Sequence, residues 1–215
     1  MSQTTPPILP EPTLRRLPWY LAYVERLLAQ GIDHVSSTSI SKALNVDASR
    51  IAKDLSFLNL KGKTRIGYEV KALAESLSDF LGFKAEHKAV VFGAGNLGRA
   101  LILDKGLANY GLQLVGAVDI DPAIAGMVVE GVEIFAPSSL PMLMQKEKPA
   151  VAILTVPAEV AQEVADSAIK AGFTAIWNFS PYRVKVPDHI ALANTSIYAH
   201  LALIYNRLAA APVKN

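Results

Sequence analysis

Between Thr13 and Gln30 the apolar residues Leu17, Leu21, Val24, Leu27 and Leu28 recur every three or four positions, the spacing that lines one face of a helix. Pro18 fits only where such a helix starts or kinks, and Gly31 supplies its stop. In the next stretch Ser36 to Ser39 offer caps for a helix ending near Leu44, Asn45 and Val46 make a turn, and Asp47 caps a helix running to about Leu58. On that helix Ile51, Leu55 and Leu58 share one face, while Ser49, Arg50, Lys53, Ser56 and Phe57 project from the other. KGKTRIGYEV, residues 61–70, then predicts two short extended pieces about a glycine-bearing turn. Helix, turn, helix and basic hairpin follow one another as in a winged helix. A further amphipathic helix is expected over Lys71 to Leu81.

From Lys88 the pattern changes. Short apolar runs (AVVFG, LQLVGAVD, VEIFA, AVAILTV, FTAIWNF) alternate with helical patterns at Leu97 to Asn109, Ser138 to Lys146 and Ala158 to Ala171. Near-continuous apolar strands separated by helices imply an α/β fold with a parallel, Rossmann-type sheet covered on both faces. The last helical pattern, Ile197 to Ala211, is unusually apolar. The expected organisation is therefore a disordered leader over 1–12, where Pro6, Pro7, Pro10 and Pro12 oppose regular structure, a winged-helix DNA-binding domain over 13–84, a Rossmann domain over 85–195, and a C-terminal apolar helix and tail over 196–215.

Candidate chemistry begins at VVFGAGNLGRAL. Gly93, Gly95 and Gly98 stand in GxGxxG register directly after a strand and at the opening of a helix. The first permits a tight turn, the second lets backbone approach a pyrophosphate, and the third lets helix and strand pack closely, with the free N–H groups of the helix start receiving the phosphates. Asp119 follows 21 residues after Gly98 at the end of the next strand, where a carboxylate holds both ribose hydroxyls and repels a 2′-phosphate, favouring NAD(H) over NADP(H). Asp121, before Pro122, is expected to form the turn instead. The coenzyme-binding set is Gly93, Ala94, Gly95, Asn96, Leu97, Gly98, Asp119 and Ile120, joined by two strand exits, Thr155-Val156-Pro157 and Asn178-Phe179-Ser180, that are placed to line the nicotinamide half.

Composition narrows the classes. The formal net charge is only +2, yet from Arg50 to Arg65 five cations (Arg50, Lys53, Lys61, Lys63, Arg65) face the single acid Asp54, which marks where an anionic polymer would sit. The expected DNA-contacting residues are Arg16, Ser37, Lys42, Ser49, Arg50, Lys53, Ser56, Lys61, Lys63, Arg65 and Tyr68. There is no cysteine, which excludes disulfides, thiolate metal sites and cysteine nucleophiles. The four histidines are scattered, so no metal site and no catalytic constellation are expected. With no secretory signal pattern and no membrane-length apolar run, the expected location is the cytoplasm. Two other readings stay open: a small NAD-dependent oxidoreductase, and a DNA-binding sensor of another nucleotide or of coenzyme A.

In order along the chain, LRRLPWYLAYVERL, VSSTSISKALNV, KDLSFL, IGYEV, GAGNLG, VDIDP, LTVPAE and NFSP resemble the redox-sensing transcriptional repressor family Rex, and the resemblance covers nearly everything past the leader. It implies a homodimer that binds a short palindromic operator when NAD⁺ prevails and releases it when NADH binds. It also implies that the helix from Ile197 to Ala211 is exchanged between subunits, which gives the C-terminal helix and tail over 196–215 a dimerisation role. Some positions depart from the family pattern. Ala52 stands beside Lys53 where two basic residues are usual, Phe57-Leu58-Asn59 replaces a tyrosine-phenylalanine-glycine run, the arginine of the wing is displaced to Arg65, and Ser196-Ile197 replaces an aspartate followed by a large apolar residue.

Overall fold

A computed structural model describes residues 9–58 and 60–210; residues 1–8 of the expected leader, Asn59, and 211–215 of the expected helix and tail lie outside them. Contacts divide the chain into two compact units, one up to Ala85 and one from Glu86 onward.

The first unit opens earlier than its prolines suggest. Leu9 is buried, and α1 (Glu11–Leu14) carries Pro12 in its first turn, where a missing N–H costs nothing. The expected leader therefore gives way to structure before Thr13. The single helix expected from Thr13 is two, because α2 (Leu17–Ala29) restarts with Pro18 in its own first turn. After β1 (His34–Val35) comes α3 (Ser37–Leu44), capped by Ser36, which accepts from Ser39 N. Asn45 then turns the chain at φ 53°. Asp47 caps α4 (Ala48–Leu55) by accepting from the N–H groups of Ser49 and Arg50. The helix ends one turn short of the expected Leu58, and Phe57 packs partly against the core instead of joining the polar face. β2 (Tyr68–Glu69) pairs antiparallel with β1, and α5 (Val70–Phe80) closes the unit. Leu17, Tyr20, Leu21 and Val24 of α2 bury themselves with Ile40, Ile51, Leu55, Leu73 and Leu77, each large apolar side chain contributing about 1.5–3 kcal/mol.

The second unit is a seven-stranded sheet. Its elements are β3 (His87–Phe92), α6 (Asn96–Leu103), α7 (Gly106–Asn109), β4 (Leu112–Val118), β5 (Val128–Val129), β6 (Val132–Phe135), α8 (Leu140–Glu147), β7 (Val151–Leu154), α9 (Ala161–Ala171), β8 (Ala175–Asn178), β9 (Ala191–Asn194) and α10 (Ile197–Ala210). The spatial order is β5-β6-β4-β3-β7-β8-β9, parallel throughout except for the β5–β6 pair at one edge. β5 and β9 are additions to the five strands expected from sequence. The helix expected from Leu97 to Asn109 breaks at Asp104, whose backbone turns extended (ψ 101°) and whose Oδ1 accepts from Gly106 N at 2.7 Å. One apolar cluster joins the sheet to α8 and α9, and a second lies on the α6 side. Among the described residues no helix is long and apolar enough to cross a membrane.

Candidate functional site

β3 is the strand from which the sheet order runs outward in both directions, the switch point at which open α/β sheets bind ligands. The turn leaving it is built on Gly93 at φ +95°, a conformation that a side chain disfavours. Thr155, from the neighbouring strand, ties this turn down with its hydroxyl 2.6 Å from the Gly93 carbonyl. A Cβ on Gly98 would collide with that same carbonyl, so only glycine lets α6 start this close to β3. No side chain caps α6, and a Cβ on Gly95 would point into open space, which leaves donors and room for an anion.

Asp119 stands at the end of β4 with its Oδ2 accepting from Ala94 N at 2.6 Å and its Oδ1 from Asp121 N at 2.9 Å. Arg99 Nε donates to the Ala94 carbonyl at 3.0 Å, so the peptide groups on either side of Ala94 are held from both flanks. Each Asp119 oxygen retains a lone pair for a hydroxyl donor. Asp121 accepts from Ala123 N at 2.9 Å, a turn role of the kind expected for it.

These groups border a cavity of about 770 Å³, within the range of small-molecule and cofactor sites. Of the predicted residues, Gly93, Gly95, Leu97, Asp119, Ile120, Thr155, Val156, Pro157, Phe179 and Ser180 line it. Ala94, Asn96, Gly98 and Asn178 are not among its lining residues; Ala94 and Gly98 are buried beneath it. Asn178 is spent internally: its Nδ2 donates to the Tyr182 carbonyl and to Asn194 Oδ1 at 2.7 and 2.8 Å, and its Oδ1 accepts from Ser180 N. It shapes the strand exit rather than the ligand surface. The sequence reading missed the apolar residues Pro137, Leu140, Val160 and Val164, which line the same cavity. The strand exit Phe135-Ala136-Pro137 was the available signal. Ser196, Ile197 and Tyr198 also reach the cavity. Gly98, the uncapped α6 and Asp119 together fit the phosphate and ribose groups of a dinucleotide.

In the first unit Lys42, Ser49, Arg50, Lys53, Ser56, Lys61, Lys63 and Arg65 are exposed, with Ser37 and Tyr68 half-buried. Lys63 pairs with Gly67 across the wing turn, and Arg65 at its tip sits at φ 66°. Local bonds restrict two of the predicted readers. Ser49 donates its hydroxyl to Asp47 Oδ1, and Ser56 donates to the Lys53 carbonyl at 2.7 Å, leaving both free to accept but not to donate. The Tyr68 ring packs over Gly62. Arg16 departs most from expectation, because its guanidinium is bound to Asp54 of α4, Nε to Oδ2 at 2.7 Å and Nη2 to Oδ1 at 2.8 Å.

Burial opposes the ionisation of Asp54, but Arg16 and the hydroxyls of Tyr20 and Thr13 outweigh it and hold the carboxyl below its ordinary value. Burial, and then the bond to Asp54, push the Tyr20 phenol up to about 12. The Arg16 guanidinium is raised mainly by its hydrogen bond to Asp54, against the opposing effect of burial.

Residues 8–56 match a family described as a putative DNA-binding protein N-terminus, and residues 84–182 one described as a CoA binding domain. The chain is 51% identical to the redox-sensing transcriptional repressor Rex of Bacteroides fragilis over 93% of its length and 91% of the relative's. It is 47% identical to Rex of Porphyromonas gingivalis, over 95% and 94%. The chain belongs to the Rex family. Among solved structures, it is similar to the Rex-family repressor RSP in complex with β-NAD⁺ and operator DNA (TM-score 0.89, 34% identity, 94% of this chain and 93% of that one). It is also similar to RSP in complex with β-NADH (TM-score 0.85, 34% identity, 94% of each chain). The curated Rex relatives are named redox-sensing transcriptional repressors, and the similar RSP structures are those of a Rex-family repressor.

Proposed function

We propose that this chain is a cytoplasmic transcriptional repressor that reads the NADH/NAD⁺ ratio, binding palindromic operator DNA as a homodimer and releasing it when NADH enters the cavity. The observation that carries this is the pairing, in one chain, of the Asp119-bordered glycine turn with an exposed basic helix and wing. The RSP relative is described both with β-NAD⁺ and operator DNA and with β-NADH, the two liganded states such a repressor needs.

In this reading the N–H groups opening α6 take the pyrophosphate and Asp119 takes the adenosine ribose. The apolar residues Pro137, Leu140, Val160 and Val164 exclude water from the adenine, and Phe179 and Ser180 border the nicotinamide. Arg50 and Lys53 enter the major groove while Lys61, Lys63 and Arg65 neutralise phosphates. Every described side chain of α10 from Ile197 to Ala209 is exposed although most of them are apolar, and a second copy of the chain covers the helix, by the exchange that the family resemblance implies. Redox sensing requires that the two arrangements of the dimer bind NADH with different affinity.

A mobility-shift titration on palindromic promoter DNA, with NADH and NAD⁺ added separately, is expected to release the duplex with NADH alone. Retention of the duplex at saturating NADH would refute the proposal. A coenzyme A sensor is the second reading, favoured by the match over residues 84–182. Asp119 disfavours it, since a carboxylate at the ribose repels a ribose phosphate. Release by coenzyme A and not by NADH would establish it.

A further inference from the structure

The first unit contains a buried charge that neither coenzyme nor DNA contact uses. Asp54 is 2% exposed, yet it immediately follows the exposed Lys53. Its Oδ1 accepts from Thr13 Oγ1 at 3.0 Å and from Arg16 Nη2 at 2.8 Å, and its Oδ2 from Arg16 Nε at 2.7 Å and from Tyr20 OH at 2.8 Å. Thr13 and Tyr20 are themselves 5% and 0% exposed. The carboxylate is thus gripped from α1, from the junction after it and from α2.

Stability alone does not call for this arrangement, because well-packed apolar side chains usually fill such a space at no loss. A bidentate carboxylate–guanidinium pair has what apolar contacts lack, a fixed direction. Direction matters on α4. It is only eight residues long, and its buried side chains are Ile51, Asp54 and Leu55. Two aliphatic side chains tolerate rotation of so short a helix. With successive residues 100° apart around the axis, holding Asp54 inward holds Lys53 on the outer face.

We propose that Asp54 is the positioning residue of the DNA-reading helix and that Arg16 acts on DNA through it. Arg16 is then a strut between α4 and the α1–α2 segment, and the charges that meet phosphate are those of the wing. The proposal rests on the reading of the basic face as the DNA surface.

The test uses full-length protein and two duplexes, a palindrome selected from a random pool by the unaltered protein and its scrambled counterpart, across a salt series. Arg16→Gln and Asp54→Asn are each expected to lower affinity for the palindrome about tenfold, the size of one lost base contact. Affinity for the scrambled duplex stays within about twofold, and the slope of log affinity against log salt is unchanged. The double variant is no worse than either single one, because both remove the same strut. Lys61→Ala, in contrast, lowers the slope by about one.

If Arg16→Gln lowers the slope by about one while Asp54→Asn changes nothing, Arg16 is a phosphate contact and the proposal is wrong. Equal losses on both duplexes would also overturn it. Should Asp54→Asn fail to fold, Tyr20→Phe and Thr13→Val each delete one bond to the same carboxylate, and unchanged selectivity in both overturns the proposal. If the unaltered protein selects no palindrome, the DNA reading fails and this proposal fails with it.

Discussion

Gly98 shows how a single missing carbon decides a binding site. Its absent Cβ is what lets α6 begin against the Gly93 carbonyl, so Gly98→Ala forces the turn open. We expect NADH affinity, measured by calorimetry, to fall at least about tenfold while DNA binding without coenzyme is retained. Asp119→Arg is expected to give the same separation, since it deletes the ribose acceptor and releases the Ala94 N–H. The placement of both residues was legible in the sequence, because it follows from spacing after a strand. The internal partners of Asn178 and Arg16 were not legible. Each was judged by residue type at a promising place, whereas its role depends on partners that no local pattern reveals: Asn194 across a strand pair, and Asp54, which lies 38 positions away along the chain.

For whole elements, the amphipathic helices and the longer strands could be read because burial imposes a period on them. β5, two residues long, is too short to show any period, and the Glu130-Gly131 turn that makes it a hairpin needs Glu130 at φ 47°, unusual for that residue type. β9, with sequence ALAN, lacks the β-branched and aromatic residues that mark strands. α1 was concealed by prolines that are harmful inside a helix and harmless at its start.

The docking of α4 also makes a pH prediction. Asp54 is held below its ordinary value, so its contribution is present above the usual carboxyl pKa of about 4 and is lost as pH falls through its lowered value. Tyr20 is raised to about 12, so its contribution is complete below the usual phenol pKa of about 10 and is lost as pH rises from there towards 12. Calorimetry of the first unit's transition is expected to show a plateau between about pH 5 and 9 with a fall on either side. Tyr20→Phe should flatten the alkaline fall, and an unchanged fall would remove Tyr20 from this account.

At the scale of the whole molecule, the proposed pairing of two copies falls to α10. Leu203, Ile204, Tyr205 and Leu208 are 51–67% exposed on a helix with a single cation, Arg207, in its last turn. Ile204→Glu would place a charge in the proposed dimer seam, and light scattering is expected to report a monomer. Loss of the second reading head should cost about a hundredfold or more in operator affinity, as expected when a bivalent contact becomes a single one. A dimer that persists in Ile204→Glu would locate the seam elsewhere.

The bare flank of α10 also bears on how the protein must be handled. Under the proposed pairing this helix finds its cover in another molecule, so folding and pairing draw on one shared free energy, and the melting temperature should climb with protein concentration by mass action. At the low copy number typical of regulators, a newly made chain spends its first moments with a greasy handle showing, so expression alongside a ready pool of identical chains should suppress aggregation more effectively than cooling.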